Sequence, residues 1–307
     1  MKGIPANFWR GRRVLVTGAS GFIGAAVVRR LAQQGAEVHG TGHRRRSAAP
    51  AVHHRAVFPD DAAAILAEVS PESVIHLAGP VAAGAAEEQR PLLRRGVVDA
   101  ALAVATAANG HGIPVLHAGT CAEYGDAPAP HLESGPALPV DAYGALKLEA
   151  TEAVLAVPGV TVARIFRAVG PGDTASVLAQ AARAALRRER FAMTTGEQVR
   201  EWNRVDAVAE GLVNAAALPD LAGSIVNVGG GPAVSVLDAV RAVFEAAGAD
   251  PGLIDAGGRA QRANEVPRLV GDHSRARLAW GAIPQPPLGQ TMSEFVAWTA
   301  DRLEGAA

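Results

Sequence analysis

The stretch "RVLVTGASGFIG", residues 13–24, constrains the fold more than any other. Val14, Leu15 and Val16 form a short apolar run of the buried-strand type. Glycines follow at 18, 21 and 24, and then Ile23, Val27, Val28 and Leu31 recur at helical spacing. Gly35 ends that helix, and Glu37 to Thr41 resume an extended segment. The first glycine permits a sharp turn. The second lets backbone approach a pyrophosphate at a helix N-terminus, where free N–H groups and the dipole favour an anion. The third lets helix and strand pack closely. The spacing is G-x-x-G-x-x-G, and its place on strand, turn and helix predicts a dinucleotide site. Gly18, Ser20, Gly21, Phe22, Ile23 and Gly24 are its expected first contacts.

The alternation continues. Val52 to Phe58 reads as a third strand and Asp61 to Val69 as a helix. Ser73 to Gly79 is a fourth strand, residues 92–109 a long helix, and Ile113 to Thr120 a fifth strand. A proline-rich loop covers Cys121 to Val140, a helix runs from about Tyr143 to Ala156, and "VTVARIF" is another strand. Such alternation predicts an α/β chain with a doubly wound parallel Rossmann sheet. After Gly170 the pattern loosens, with helices at Val177–Arg190, Val236–Ala247 and about Thr291–Leu303 and a strand at Ser224–Val228. We expect a smaller, mostly helical C-terminal substrate domain. The division is 1–169 and 198–229 for the dinucleotide-binding part, with 170–197 and 230–307 interleaved as the other. Leu77, Ala78 and Gly79, at the end of the fourth strand, are expected to face the cofactor.

The second strand ends "HGTGHRRRS", with no acid between Val38 and Ser47. An acidic residue there would accept from the 2′-hydroxyl of NAD, whereas arginine suits the 2′-phosphate of NADP. His43, Arg44 and Arg45 therefore predict NADP as cofactor.

Tyr143 and Lys147 stand at i and i+4 and share one face of their helix. A free phenol, with a pKa of about 10, is a poor acid–base group at neutral pH. A neighbouring ammonium favours the phenolate. Tyr143 could then give a proton to a carbonyl oxygen as hydride reaches its carbon. Thr120, ending the fifth strand, could bond the same oxygen.

Composition narrows the rest. A net charge of -1 and 4% aromatic residues give no case for nucleic acid. Cys121 is the one cysteine, so no disulfide forms within the chain, as suits a reducing cytoplasm. The N-terminus lacks an apolar h-region, and no run of about 18 apolar residues predicts a membrane span. His53, His54, His111 and His117 lack metal-ligand spacing, and His76 reads as a packed structural histidine.

"TGASGFIG", "VIHLAG", "GTCAEYG", "YGALK", "RIFRAVGPGD", "VREWNRVDAVAEG", "IVNVGGG" and "LVGDHSRARLAWG" together resemble the extended short-chain dehydrogenase/reductase family, in that order over nearly the whole chain. The resemblance implies Thr120, Tyr143 and Lys147 as the catalytic set, with Lys147 also holding the nicotinamide ribose. It implies substrate diphosphate contacts by Arg200 and Arg262. Dehydratases of the family carry Asp-Glu after the catalytic threonine; here Cys121 and Ala122 follow. Epimerases usually carry the strand-two acid that is absent here. "GTCAEYG" resembles reductases of nucleotide-linked 4-keto-6-deoxyhexoses, and the tail resembles GDP-4-keto-6-deoxymannose reductases. The implied activity is an NADPH-dependent 4-ketoreductase in deoxysugar biosynthesis. The alternatives are a 4-epimerase with bound NAD(P) and a non-catalytic NADP-binding sensor. Arg167 stands where the family carries an asparagine at the diphosphate. Cys121 is expected to line the substrate pocket, and Glu123 either to contact the sugar or to orient the loop. A homodimer through the alanine-rich helices around 93–107 and 143–156 is compatible with the family.

Overall fold

The computed structural model describes residues 4–42, 50–80, 89–261 and 263–304. Its centre is a seven-stranded parallel sheet. The strands are β1 (Arg13–Thr17), β2 (Glu37–Gly42), β3 (Val52–Arg55), β4 (Ser73–His76), β5 (Val115–Thr120), β6 (Val160–Ile165) and, late in the chain, Ile225–Val228. Starting from that late strand, the order is β6, β5, β4, β1, β2, β3. The winding reverses between β1 and β4, where such sheets open a ligand crevice at their carboxyl ends. This is the Rossmann-type α/β fold expected.

Helices cover both faces, because strands buried on two sides need a layer on each. On one face lie α1 (Phe22–Gln33) and a helix at Val205–Ala216, with Val27, Leu31, Leu212 and Val213 fully buried between them. On the other are α2 (Ala62–Val69), α3 (Arg90–Arg94), α4 (Ala100–Asn109) and α5 (Ala142–Leu155). The single helix expected over 92–109 is broken by a π-helical turn at Arg95–Asp99. Gly96 sits there against Pro80, where a Cβ would lie 3.0 Å from the proline ring. At the sheet's free edge, His39 of β2 bonds His54 of β3 at 2.9 Å, and their outer nitrogens meet Glu37 and Glu68.

Beyond β6 the chain makes a second core. Short β7 (Ala168–Val169) leads to α6 (Val177–Arg187) and β8 (Phe191–Met193). Next come β9 (Val199–Glu201), β10 (Asn203–Arg204) and the Val205–Ala216 helix, which is α7; the late sheet strand is β11. β12 (Ala233–Ser235), α8 (Val236–Ala246), β13 (Ile254–Ala256), β14 (Arg268–Leu269) and, at the end, α10 (Leu288–Glu304) complete it, while α9 (Ser274–Trp280) packs Ala276 and Trp280 against the first core. Leu178, Phe191, Trp202, Val240, Phe244, Met292 and Phe295 pack together there. The helices are accompanied by small sheets, β12-β9-β14 and β13-β8, which strands this short did not reveal in the sequence. Among the described residues no helix is long and apolar enough to cross a membrane.

Candidate active site

The glycine turn has the shape its spacing predicts. Gly18 has φ +68°, and a Cβ on it would lie 2.9 Å from the backbone of Leu77 and Ala78. A Cβ on Gly24 would lie 2.2 Å from the Gly18 carbonyl oxygen. The α1 N-terminus follows directly, with Gly21 as N-cap, no side-chain cap and no acid in its first turn. Ser20, Phe22 and Ile23 belong to this turn and helix start, and Leu77, Ala78 and Gly79 follow β4 beside it. The end of β4 is pinned by Thr17, whose hydroxyl accepts from the N–H groups of Leu77 and Ala78, each at 3.1 Å. His43, Arg44, Arg45 and Arg262 lie outside the described residues.

α5 begins at Asp141, whose carboxylate accepts from the Gly144 N–H at 2.7 Å. That cap sets Tyr143 and Lys147 on the helix, which packs against β5. Lys147 Nζ donates to the Ala118 carbonyl at 2.5 Å and faces His117 Nε2 at 3.4 Å. Burial lowers the lysine to about 8, against the pull of Glu123. Tyr143 goes the other way: burial, with Cys121, Glu123 and Asp141, pushes it up to about 12. The Tyr/Lys spacing does not by itself lower the phenol. Desolvation dominates, and the ammonium is engaged with β5.

Thr120 ends β5 and caps a 3-10 turn, Cys121–Glu123. Its Oγ1 accepts from the Ala122 N–H at 3.3 Å, and its hydroxyl also bonds the neighbouring Cys121 thiol. Glu123 does not face a sugar. It is fully buried, accepting from the Thr120 N–H at 2.8 Å, Thr151 Oγ1 at 3.0 Å and Arg164 Nε at 2.7 Å. Of the two expectations for Glu123, this geometry corrects the substrate contact and matches the orienting of the loop, because both carboxylate oxygens are taken. The signal was present as T-x-x-E, residues 120–123, a capping box. Cys121 has its thiol pushed up to about 11, chiefly by burial and against the nearby Arg167 and Arg200. It is a poor nucleophile.

Arg167 is exposed, with its guanidinium 5.9 Å from the Trp202 ring centre. Arg200 is buried on β9 and pairs with Glu265 at 2.5 Å. Burial lowers the Arg200 guanidinium's pKa, Glu265 opposes that, and Arg167 adds to it. Arg167 therefore lies near enough for its charge to act on the Arg200 guanidinium.

Sequence reasoning missed a buried knot beneath the proline-rich loop. Asn227 of β11 accepts from the Tyr124 hydroxyl at 2.7 Å and donates to the His131 and Asp272 carbonyls at 2.8 and 3.0 Å. Beside it, Glu201 bonds His273 at 2.8 Å. No periodicity marks such residues. Among the described residues no cluster of His, Cys, Asp or Glu is arranged to hold a metal.

The model of the NAD dependent epimerase/dehydratase family matches residues 14–229. The chain belongs to that family. A family relative, dTDP-6-deoxy-L-talose 4-dehydrogenase (NAD(P)(+)) of Kitasatospora kifunensis, is 31% identical over 317 residues, covering 94% of this chain and 95% of the relative. The dTDP-L-rhamnose 4-epimerase of Burkholderia thailandensis is 27% identical, covering 99% of each. Among solved structures, MoeE5 in complex with UDP-glucuronic acid and NAD superposes with a TM-score of 0.84 at 27% identity, over 94% of this chain and 99% of that one. The family thus spans oxidoreductases and epimerases of nucleotide sugars, and this chain is similar to both.

Proposed function

We propose that this protein reduces the 4-keto group of a nucleotide-linked 4-keto-6-deoxyhexose with NADPH. The observation that carries the reading is Tyr143 and Lys147 on α5, set against the Thr120 end of β5 at the mouth of the sheet. The glycine turn fits a dinucleotide: Gly18 and Gly24 leave no room for a Cβ, and the uncapped α1 N-terminus has no acid to compete with a pyrophosphate. NADPH bound there would supply hydride to the carbonyl carbon. Thr120 donates to the carbonyl oxygen, and the Tyr143 hydroxyl gives that oxygen its proton, so that the ketone becomes an alcohol. A phenol held at about 12 enters the reaction protonated, as a reduction requires. Lys147, one turn further along the same face of α5, holds the nicotinamide ribose. Arg167 and Arg200 hold the diphosphate, joined by Arg262; Arg44, Arg45 and His43 receive the 2′-phosphate of NADP. Cys121 lines the sugar pocket without reacting. The same reading divides the chain into interleaved parts, 1–169 with 198–229 and 170–197 with 230–307, and pairs two copies through the helices around 93–107 and 143–156.

The test is cofactor oxidation, NADPH beside NADH, on dTDP- and GDP-linked 4-keto-6-deoxyhexoses. Stoichiometric turnover preferring NADPH is expected, with Tyr143→Phe losing about 10²–10⁴-fold. Interconversion of C4 epimers without net cofactor consumption would replace the reading with a 4-epimerase, the activity named for the Burkholderia relative. Oxidation of NADH as fast as NADPH would remove the arginines' role.

A further inference from the structure

Beneath Tyr143 and Lys147 lies a row of buried polar side chains that this chemistry leaves unused. Thr17, His76 and His117 occupy register-paired positions on β1, β4 and β5. All three are buried. Because Thr17 Oγ1 accepts from the Leu77 and Ala78 N–H groups, its own proton goes to His76 Nδ1, 2.8 Å away. His76 then carries its proton on Nε2. Its ring stacks on His117 with centres 5.4 Å apart and planes 24° from parallel. An ammonium only donates, so His117 receives Lys147 on Nε2 and carries its own proton on Nδ1. Among the described residues neither His76 Nε2 nor His117 Nδ1 has a partner. Both are donors, so no proton passes from ring to ring, and the pair is not a relay.

Its effect falls on the lysine instead. Of the three ammonium protons, one goes to the Ala118 carbonyl and one to His117. Among the described residues the third has no acceptor. We infer that His117 is a positioning residue, which by accepting from Lys147 Nζ aims that free N–H and keeps the amine protonated. The inference rests on the role given to Lys147 above. It matters because burial brings Lys147 down to about 8, close to working pH, where the loss of one acceptor changes the charge. The groups around the ammonium are His117 and the Ala118 carbonyl of β5, His76 of β4, and Glu123 of the 3-10 turn with Arg164 of β6 behind it. Burial, helped by Lys147, holds His76 and His117 far below the usual imidazole range, so both stay neutral beside the lysine.

The chain has two lysines, Lys2 and Lys147, so a ¹³Cε-lysine NMR titration of the full protein gives two signals, one serving as reference. In His117→Phe, which keeps a stacking ring but no acceptor, the Lys147 midpoint should fall by about one pH unit, or about tenfold in proton affinity. His117→Gln keeps an acceptor and should stay near wild type. The alkaline limb of the kcat profile should move with the titration in the Phe variant and not in the Gln variant. His117→Leu replaces the Phe variant if that one does not fold. An unmoved Lys147 midpoint in the Phe or Leu variant, or an equal movement in Gln, overturns the inference. A shifted midpoint in a protein that reduces no ketosugar upholds it and sinks the reductase reading instead.

Discussion

Removing the Glu123 carboxylate would leave Arg164 as a buried cation without a counter-charge. The two lie 2.7 Å apart with almost no exposure, and the guanidinium also sits 4.4 Å over the Tyr124 ring. Glu123→Ala should therefore cost about 3–5 kcal/mol, read as a lower urea midpoint. The KM of whatever fraction remains folded should be unchanged; a raised KM at full stability would return Glu123 to the substrate. Single residues were unevenly legible. Tyr143 and Lys147 announce themselves by a four-residue spacing on one helix, which needs no tertiary knowledge. His117 and Asn227 announce nothing, because a polar side chain inside a strand has no readable partner until the strands are in register. Glu123 is the intermediate case: its spacing from Thr120 was readable, and weighing it as a cap would have chosen the loop over the sugar.

At the scale of elements, the tightest fit is α1 against the turn that precedes it. Gly24→Ala would place a methyl 2.2 Å from a carbonyl oxygen of the backbone, which has no side-chain freedom to yield. The helix must tilt away, at a cost of about 1–3 kcal/mol. NADPH binding should weaken at least tenfold, measured by fluorescence titration. Gly21→Ala, whose nearest atom would be 3.2 Å away, should lose less. If both variants bound NADPH like wild type, the α1 N-terminus would not hold the cofactor. The central sheet was readable because its strands carry apolar runs and its helices apolar spacing. α7 also carries a readable stripe, with Asp206, Glu210 and Asn214 four residues apart on one face and Val205, Val208, Leu212 and Val213 buried on the other, and it escaped the reading for no physical reason. The second core's strands, two or three residues long, have too few positions to show alternation. Helix 92–109 looked continuous because a π turn interrupts hydrogen bonding without interrupting composition.

For the molecule as a whole, the buried histidines set a response to acid. His76 is brought down to about 3 and His117 well below its ordinary value, mainly by burial. In the unfolded chain both take protons at about pH 6.5, whereas the native state refuses them. Stability is therefore full above that pH and lost as pH falls toward the folded values. Each histidine costs about 1 kcal/mol per pH unit. Melting temperatures between about pH 6.5 and 5 should fall more steeply in wild type than in His117→Phe; parallel slopes would show that the imidazoles are not held neutral. The knot at Asn227 carries a different consequence, one of timing. The loop that leads into α5 is fastened to segments made much later: His131 N–H bonds the Val270 carbonyl at 2.8 Å, and Asn227 joins that loop to Asp272. On the ribosome, a chain still lacking its 270s can already wind α1 onto the glycine turn and form the first strands beside it. It cannot tie down the loop ahead of Tyr143. The nascent chain would thus form the glycine turn early and fasten the loop ahead of α5 to Val270 and Asp272 only once those residues have been made.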